Sequence, residues 1–155
     1  MADLVRRSLR MNPSRVIVGE VLGDEIVTML NAMSQGNDGS LSTIHSNSSM
    51  EVFNRISTYA IQATERLPME ATQMLISGAL DFVVFVRKHN DYQHGGTLSR
   101  YVESIREVTG WDGRVLSSEC FAMGPDGMAV AHAPIECIAE LEDAGYEPRV
   151  HGRWS

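Results

Sequence analysis

The amino-acid sequence predicts an α/β fold, and three features predict it. Two compact apolar runs, R-V-I-V-G-E-V at 15–21 and F-V-V-F-V at 82–86, read as strands; apolar residues recur at helical spacing between them; and a strand-turn-strand pattern follows residue 98. Each element has its own local signal.

Residues 3–10 form a short helix that ends before Asn12-Pro13, because the residue ahead of a proline is pushed toward extended backbone. Val16 to Val21 then read as a buried strand. From Asp24, a candidate N-cap, Ile26, Met29, Leu30 and Met33 repeat at helical spacing until Gly36. S-L-S-T-I-H-S at 40–46 alternates and predicts a second short strand. Ser48 and Glu51 have capping-box spacing, and Val52, Ile56, Tyr59 and Ala63 give the following helix its buried face. Leu67-Pro68 opens a further helix with Met69, Ile76 and Leu80 on one side.

Residues 90–97 read as a polar loop. Asp112-Gly113 is a favoured hairpin turn between R-Y-V-E-S-I-R-E-V-T-G-W and R-V-L-S-S-E-C-F-A-M. Pro134 is expected in the first turn of a last helix carrying Ile135, Ile138 and Leu141, with Gly145 past its end. This divides the chain into 1–89, an α/β core, and 90–155, a hairpin and helical extension.

With 155 residues, 43% of them hydrophobic, the chain can bury one core. Its net charge of -7 argues against a nonspecific nucleic-acid footprint, which needs cations to neutralise phosphates. No apolar run approaches the roughly 18 residues of a spanning helix, and the arginines of M-A-D-L-V-R-R-S-L-R fall where an export signal would be apolar. Cys120 and Cys137 lack C-x-x-C spacing, which fits a reducing cytosol. Lys88 is the sole lysine and is followed by His89, so no G-x-x-x-x-G-K-[ST] phosphate loop exists in these residues.

Two strand ends carry candidate chemistry. Glu20 ends the first run beside Gly19, which leaves room for a ligand or a second backbone. A carboxylate there can orient an attacking water or meet Mg²⁺ in phosphoryl transfer, and it can equally be a solvated strand end. His45 ends the next strand. If the two strands are parallel neighbours, both side chains share the sheet edge where open α/β sheets bind ligands, and the imidazole can reach a phosphoryl oxygen or relay a proton.

These residues also carry a resemblance. R-R-S-L-R-M-N-P-S-R-V-I-V-G-E-V, with G-S-L-S-T-I-H-S downstream, resembles the C-terminal motor domain of the type II/type IV secretion ATPase superfamily, most of all its tight-adherence pilus and type IV secretion branch. The likeness continues through F-N-R-I-S-T-Y-A, A-L-D-F-V-V-F-V and E-V-T-G-W-D-G-R-V, over roughly residues 3 to 123.

The resemblance implies a partial RecA-like core in which V-I-V-G-E is the Walker B strand and Glu20 the catalytic glutamate, holding Mg²⁺ through water. It also implies that His45 senses the γ-phosphate of ATP, with Gly19 and Thr43 beside the nucleotide and Arg55 at a subunit contact. The implied assembly is a hexameric ring at the cytoplasmic face of the inner membrane, working on a membrane platform protein in pilus assembly or secretion. Leu22 replaces an arginine usual in the family. The family's phosphate loop and aspartate box precede the position matched by residue 1, so the chain reads as the back half of a motor, hydrolysing ATP at background rate by itself. The phosphate-loop strand would lie between the strands at 40–46 and 82–86, leaving a seam there. A noncatalytic interaction or regulatory subunit that kept the assembly surfaces is the alternative.

Other residues read as structural. Ser42, His45 and Glu20 lack the G-x-S-x-G elbow of a hydrolase, and His89 and His94 lack zinc-site partners. The nine methionines are expected mainly at helical core positions. Arg6, Arg7 and Arg10 are read as solvating a helix, and Arg87 and Lys88 as a strand end in solvent.

Overall fold

The computed structural model describes residues 1–37, 39–91 and 96–147. They form two compact units. The first holds 1–81 with the hairpin tip 108–116, and the second holds 82–107 with the chain from 117 onward.

In the first unit the order is α1 (Ala2–Leu9), β1 (Ile17–Val18), α2 (Glu25–Met33), β2 (Leu41–Ser42), α3 (Glu51–Gln62) and α4 (Met69–Ala79). Helix α2 is its centre, packed on α1, α3 and α4, because Ile26, Val27, Met29, Leu30 and Ala32 are buried on nearly every side. Helix α1 ends through Asn12, whose φ of 51° is a conformation asparagine tolerates; the chain there is left-handed rather than extended. Gly36 stops α2 with a φ of 86°. Asp24 makes no side-chain cap; Glu25 does the equivalent work, its Oε1 accepting the Leu22 N–H at 2.7 Å.

Strands β1 and β2 pair in parallel, Ile17 with Leu41 and Val18 with Ser42. Around this short ladder Leu41 N–H donates to Val16 O at 3.0 Å and Val21 N–H to Thr43 O at 2.9 Å. Val16, Val18 and Val21 are buried while Ile17 is 71% exposed, so the run is covered on one face and not on both as expected.

Helix α3 begins with half of the expected box: Glu51 N–H donates to Ser48 Oγ at 3.1 Å. Its buried residues include Val52, Ile56 and Ala63, with Phe53, Ser57 and Ala60 added and Tyr59 only half-buried. On α4 the buried face is Thr72, Gln73 and Ile76; Met69 is exposed and Leu80 half-buried, which corrects the apolar stripe expected there. The methionine expectation fails more widely. Met29 is buried, but Met1, Met11, Met50, Met69, Met74, Met123 and Met128 are exposed.

The second unit is a four-stranded antiparallel sheet in the order β3-β4-β5-β6, from β3 (Phe82–Asp91), β4 (Thr97–Trp111), β5 (Val115–Met123) and β6 (Ala129–Ala131), followed by α5 (Ile138–Asp143). F-V-V-F-V therefore opens a ten-residue strand paired with β4, Phe82 opposite Glu107 and Asp91 opposite Thr97. The ladder takes Asn90, Asp91 and Thr97 out of the expected loop; residues 92–95, His94 among them, lie outside the described residues. Arg87 and Lys88 sit within the strand instead of ending it. Arg87 pairs with Glu103 across a bulge and stacks on Phe85 at 5.2 Å.

The turn after β4 forms as the Asp112-Gly113 pair predicts, with Gly113 at φ 70° and Asp112 N–H donating to Arg114 O at 3.0 Å. Strand β6 was not legible in the sequence. Helix α5 starts after Cys137, so Pro134 precedes the helix and does not sit in its first turn. No helix among the described residues is long and apolar enough to cross a membrane.

Candidate functional site

Parallel pairing of β1 and β2 sends both chains out of the same sheet edge. Glu20 follows β1 by two residues and His45 follows β2 by three. At that edge His45 Nε2 lies 2.7 Å from Glu20 Oε1, an ion pair when the ring is protonated and a hydrogen bond otherwise. The side chains are 89% and 39% exposed respectively, so the pair opens to solvent.

The loops that carry the pair are cross-braced. Thr43 Oγ1 donates to Gly19 O at 2.5 Å, and the Val21–Thr43 backbone bond closes behind it. Val16 N–H also donates to Ser40 Oγ at 2.9 Å, fixing the register at the strand starts. Thr43 is thus joined to Gly19 by its hydroxyl. A Cβ built on Gly19 would meet nothing within 4 Å, so the space beside Glu20 is open.

Glu20 offers a limited donor set. Oε1 is engaged by His45, and among the described residues no group of three His, Cys, Asp or Glu converges as a metal cage. One carboxylate with its second oxygen available suits Mg²⁺ that arrives with phosphate and water ligands, the usual habit of that ion.

Arg55 does not join the pair. It lines a polar depression of about 240 Å³ on α3 with Ser46, Glu51, Asn54 and Thr58, one residue along the chain from His45. A larger cavity of about 550 Å³ is lined by Met1, Asp3, Arg6, Leu22, Asp24 and Glu65 among others, and it contains neither Glu20 nor His45. Arg6, expected to be solvated, is ion-paired there with Glu65 at 2.7 Å. His89 is exposed on β3 opposite Ser99. The polar cluster missed from the sequence surrounds Glu107 in the antiparallel sheet. Its partners are backbone N–H groups nearly thirty residues away, which no local spacing signals.

Residues 1–136 match the family model described as type II/IV secretion system protein. The conjugal transfer protein TrbB of Rhizobium radiobacter is 28% identical over 131 residues, covering 84% of this chain and 37% of TrbB. The type IV secretion system protein VirB11 of Brucella suis biovar 1 is 32% identical over 106 residues, 67% of this chain and 28% of that protein. The crystal structure of the Brucella suis VirB11 ATPase with sulphate matches with a TM-score of 0.57 at 31% identity, over 67% of this chain and 30% of that one. The chain spans about a third of the length of these relatives.

Proposed function

Because the chain belongs to the type II/IV secretion system protein family, we propose that Glu20 and His45 form the hydrolytic edge of a secretion ATPase built on a RecA-like core. The observation that carries this reading is their 2.7 Å contact at the shared C-terminal edge of two parallel strands. That edge is where open α/β sheets place phosphate chemistry. The likeness to VirB11, described as an ATPase, supports the reaction class.

In this mechanism Glu20 acts as the group that orients and deprotonates the attacking water. An imidazole that gives its Nε2–H to Glu20 keeps Nδ1 as an acceptor. To donate to a γ-phosphoryl oxygen it must withdraw Nε2–H from Glu20 or take up a second proton. Where the neutral ring withdraws Nε2–H, the phosphate and Glu20 compete for it, and nucleotide entry frees the carboxylate for water; where it takes up the second proton, it bridges Glu20 and the phosphate. Thr43 and Gly19 hold the two strand ends in register. Glu20 would hold Mg²⁺ through water, and the ion would neutralise phosphate charge.

The phosphate loop must come from outside these 155 residues, because none is encoded in them. Backbone N–H groups and the lysine of such a loop supply most triphosphate contacts, so this chain by itself holds nucleotide weakly. The working assembly in this reading is a hexameric ring at the cytoplasmic face of the inner membrane, with Arg55 at a subunit contact. It drives the platform of a type IV secretion or tight-adherence pilus machine.

The test measures ATP hydrolysis by this chain with and without a polypeptide carrying the family's phosphate loop. Background turnover alone, turnover on mixing, and a loss on the order of a hundredfold with Glu20→Gln are expected. Wild-type turnover of Glu20→Gln in the mixture would overturn the site. The second reading is a noncatalytic assembly subunit that keeps the motor's association surfaces. Association without turnover in the mixture would establish that reading instead.

A further inference from the structure

The antiparallel unit buries little apolar surface. Among its described residues the buried apolar side chains are Cys120 and Ile135, and beside them lie Ser104 and Glu107. Glu107 is 3% exposed, and its carboxylate is held by two segments of chain, β5 and the turn before α5. Oε2 accepts the Glu136 N–H at 2.7 Å and the Cys120 S–H at 3.5 Å, while Oε1 accepts the Cys137 N–H at 2.8 Å. Cys120 is buried and Cys137 half-buried. Cys120 Sγ also lies 3.7 Å from Pro134 O, so the turn before α5 closes directly over this sulfur.

No side-chain cap comes from within α5, and Glu107 supplies that role from β4. Among the described residues Glu136 acts on Cys120 and Glu140 on Cys137, and Arg106, the residue before Glu107 on β4, reaches Ser117 and Glu119 with its guanidinium.

Burial pushes Glu107 upward, but the N–H groups of Glu136 and Cys137 and the two thiols outweigh it and hold the carboxyl below its ordinary value. Burial, then the hydrogen bond to Glu107, pushes each thiol up to about 11. A thiol in that state is a poor nucleophile at neutral pH.

We propose that Glu107 is the pin of a thiol latch: its carboxylate fastens the 134–137 turn to the sheet by accepting the Cys120 S–H from one side and the Glu136 and Cys137 N–H groups from the other, so that the turn and the two cysteines it carries or covers open as one. These are the chain's only cysteines, and opening the latch is what makes them fully available to an oxidant or electrophile.

The test follows both thiols of the whole chain with an aromatic disulfide reagent at neutral pH. A thiolate attacks the reagent's S–S bond, forms a mixed disulfide and releases one coloured thiolate. The latch requires both thiols of the wild type to react slowly and at one shared rate, and Glu107→Gln to raise both rates together by roughly tenfold or more. Cys137→Ser keeps the backbone N–H on the carboxylate, so Cys120 should stay slow in it. A wild type with one fast and one slow thiol, or a Glu107→Gln that releases only one, overturns the latch. Should Glu107→Gln fail to fold, the wild-type pH profile of alkylation decides: a common midpoint near 11 upholds the proposal, and an ordinary midpoint near 9 for either thiol overturns it.

Discussion

Gln73 Oε1 accepts the backbone N–H of Val115 at 3.0 Å, tying α4 to the tip of the β4–β5 hairpin inside the helical unit. The same amide uses Nε2 to donate to Ser57 Oγ on α3 at 3.0 Å, and Ser57 passes its own hydrogen to Phe53 O at 2.8 Å. Gln73, Ser57 and Val115 are all buried. One polar side chain therefore joins three elements where water cannot replace it.

Gln73→Leu should destabilise the chain by about 2 kcal/mol, because the buried Val115 N–H loses its acceptor without gaining water. Gln73→Glu keeps an acceptor for Val115 but places a charge among buried groups, and should cost more. Urea unfolding of the two variants checks the order. A Gln73→Leu chain as stable as wild type would show that the hairpin tip is not held by this bond.

Much of the helical unit was legible because its signals are local. Asn12-Pro13, Gly36, Ser48 with Glu51 and Asp112-Gly113 each act within a few residues, and each marks an element end or turn. The proximity of Glu20 and His45 needed one more step, parallel pairing of the runs at 15–21 and 40–46, which no local signal supplies. What stayed hidden depends on distant partners. The buried polar face of α4 reads as surface until Val115 and Ser57 are placed against Gln73, and Glu107 reads as an ordinary strand carboxylate until the 134–137 turn arrives. Nothing between 90 and 97 signals a strand, since Asn90 and Asp91 are poor strand formers that pair because β3 and β4 bring them into register.

Glu20 and His45 should separate activity from stability. The pair is exposed, so Glu20→Gln and His45→Ala should each change unfolding free energy by no more than about 0.5 kcal/mol. In the nucleotide-competent mixture their effects on turnover should fail to add, since in the proposed mechanism both groups serve one water and one phosphate. Additive losses in the double variant would mean that the contact has no part in hydrolysis.

The pH dependence of stability should carry two limbs from the Glu107 cluster. Glu107 sits below its ordinary 4.5 in the folded chain, so its contribution is complete above 4.5 and is lost as pH falls through the lower folded value. The thiols are raised from 9.0 to about 11, so their contribution is complete below 9 and is lost as pH rises toward 11. Glu107→Gln should shrink both limbs, leaving at the acid end the part that Glu103 contributes through Arg87. An acid limb of unchanged size in Glu107→Gln would assign it to other carboxylates.

Strand edges should govern how the chain behaves in solution. The β1–β2 ladder has two strands, so each is an edge, and a pair this short is marginal unless something extends it. Ile17 and Leu41 on that ladder are largely exposed. Strand β3 closes one side of the antiparallel sheet, pairing with β4 alone over ten residues, with Val84 and Val86 each 53% exposed. Unpaired backbone groups beside exposed apolar side chains favour further strand pairing. The chain alone should therefore self-associate or melt broadly, and a polypeptide bearing the family's phosphate-loop strand should raise its Tm and suppress association. ATP with Mg²⁺ should stabilise that mixture more than either component if, as proposed, the nucleotide site is shared between the two halves. Sedimentation and thermal melting check this together. A monodisperse monomer with a sharp melt, unmoved by the added strand, would show that these edges need no partner and that the chain folds to completion as it stands.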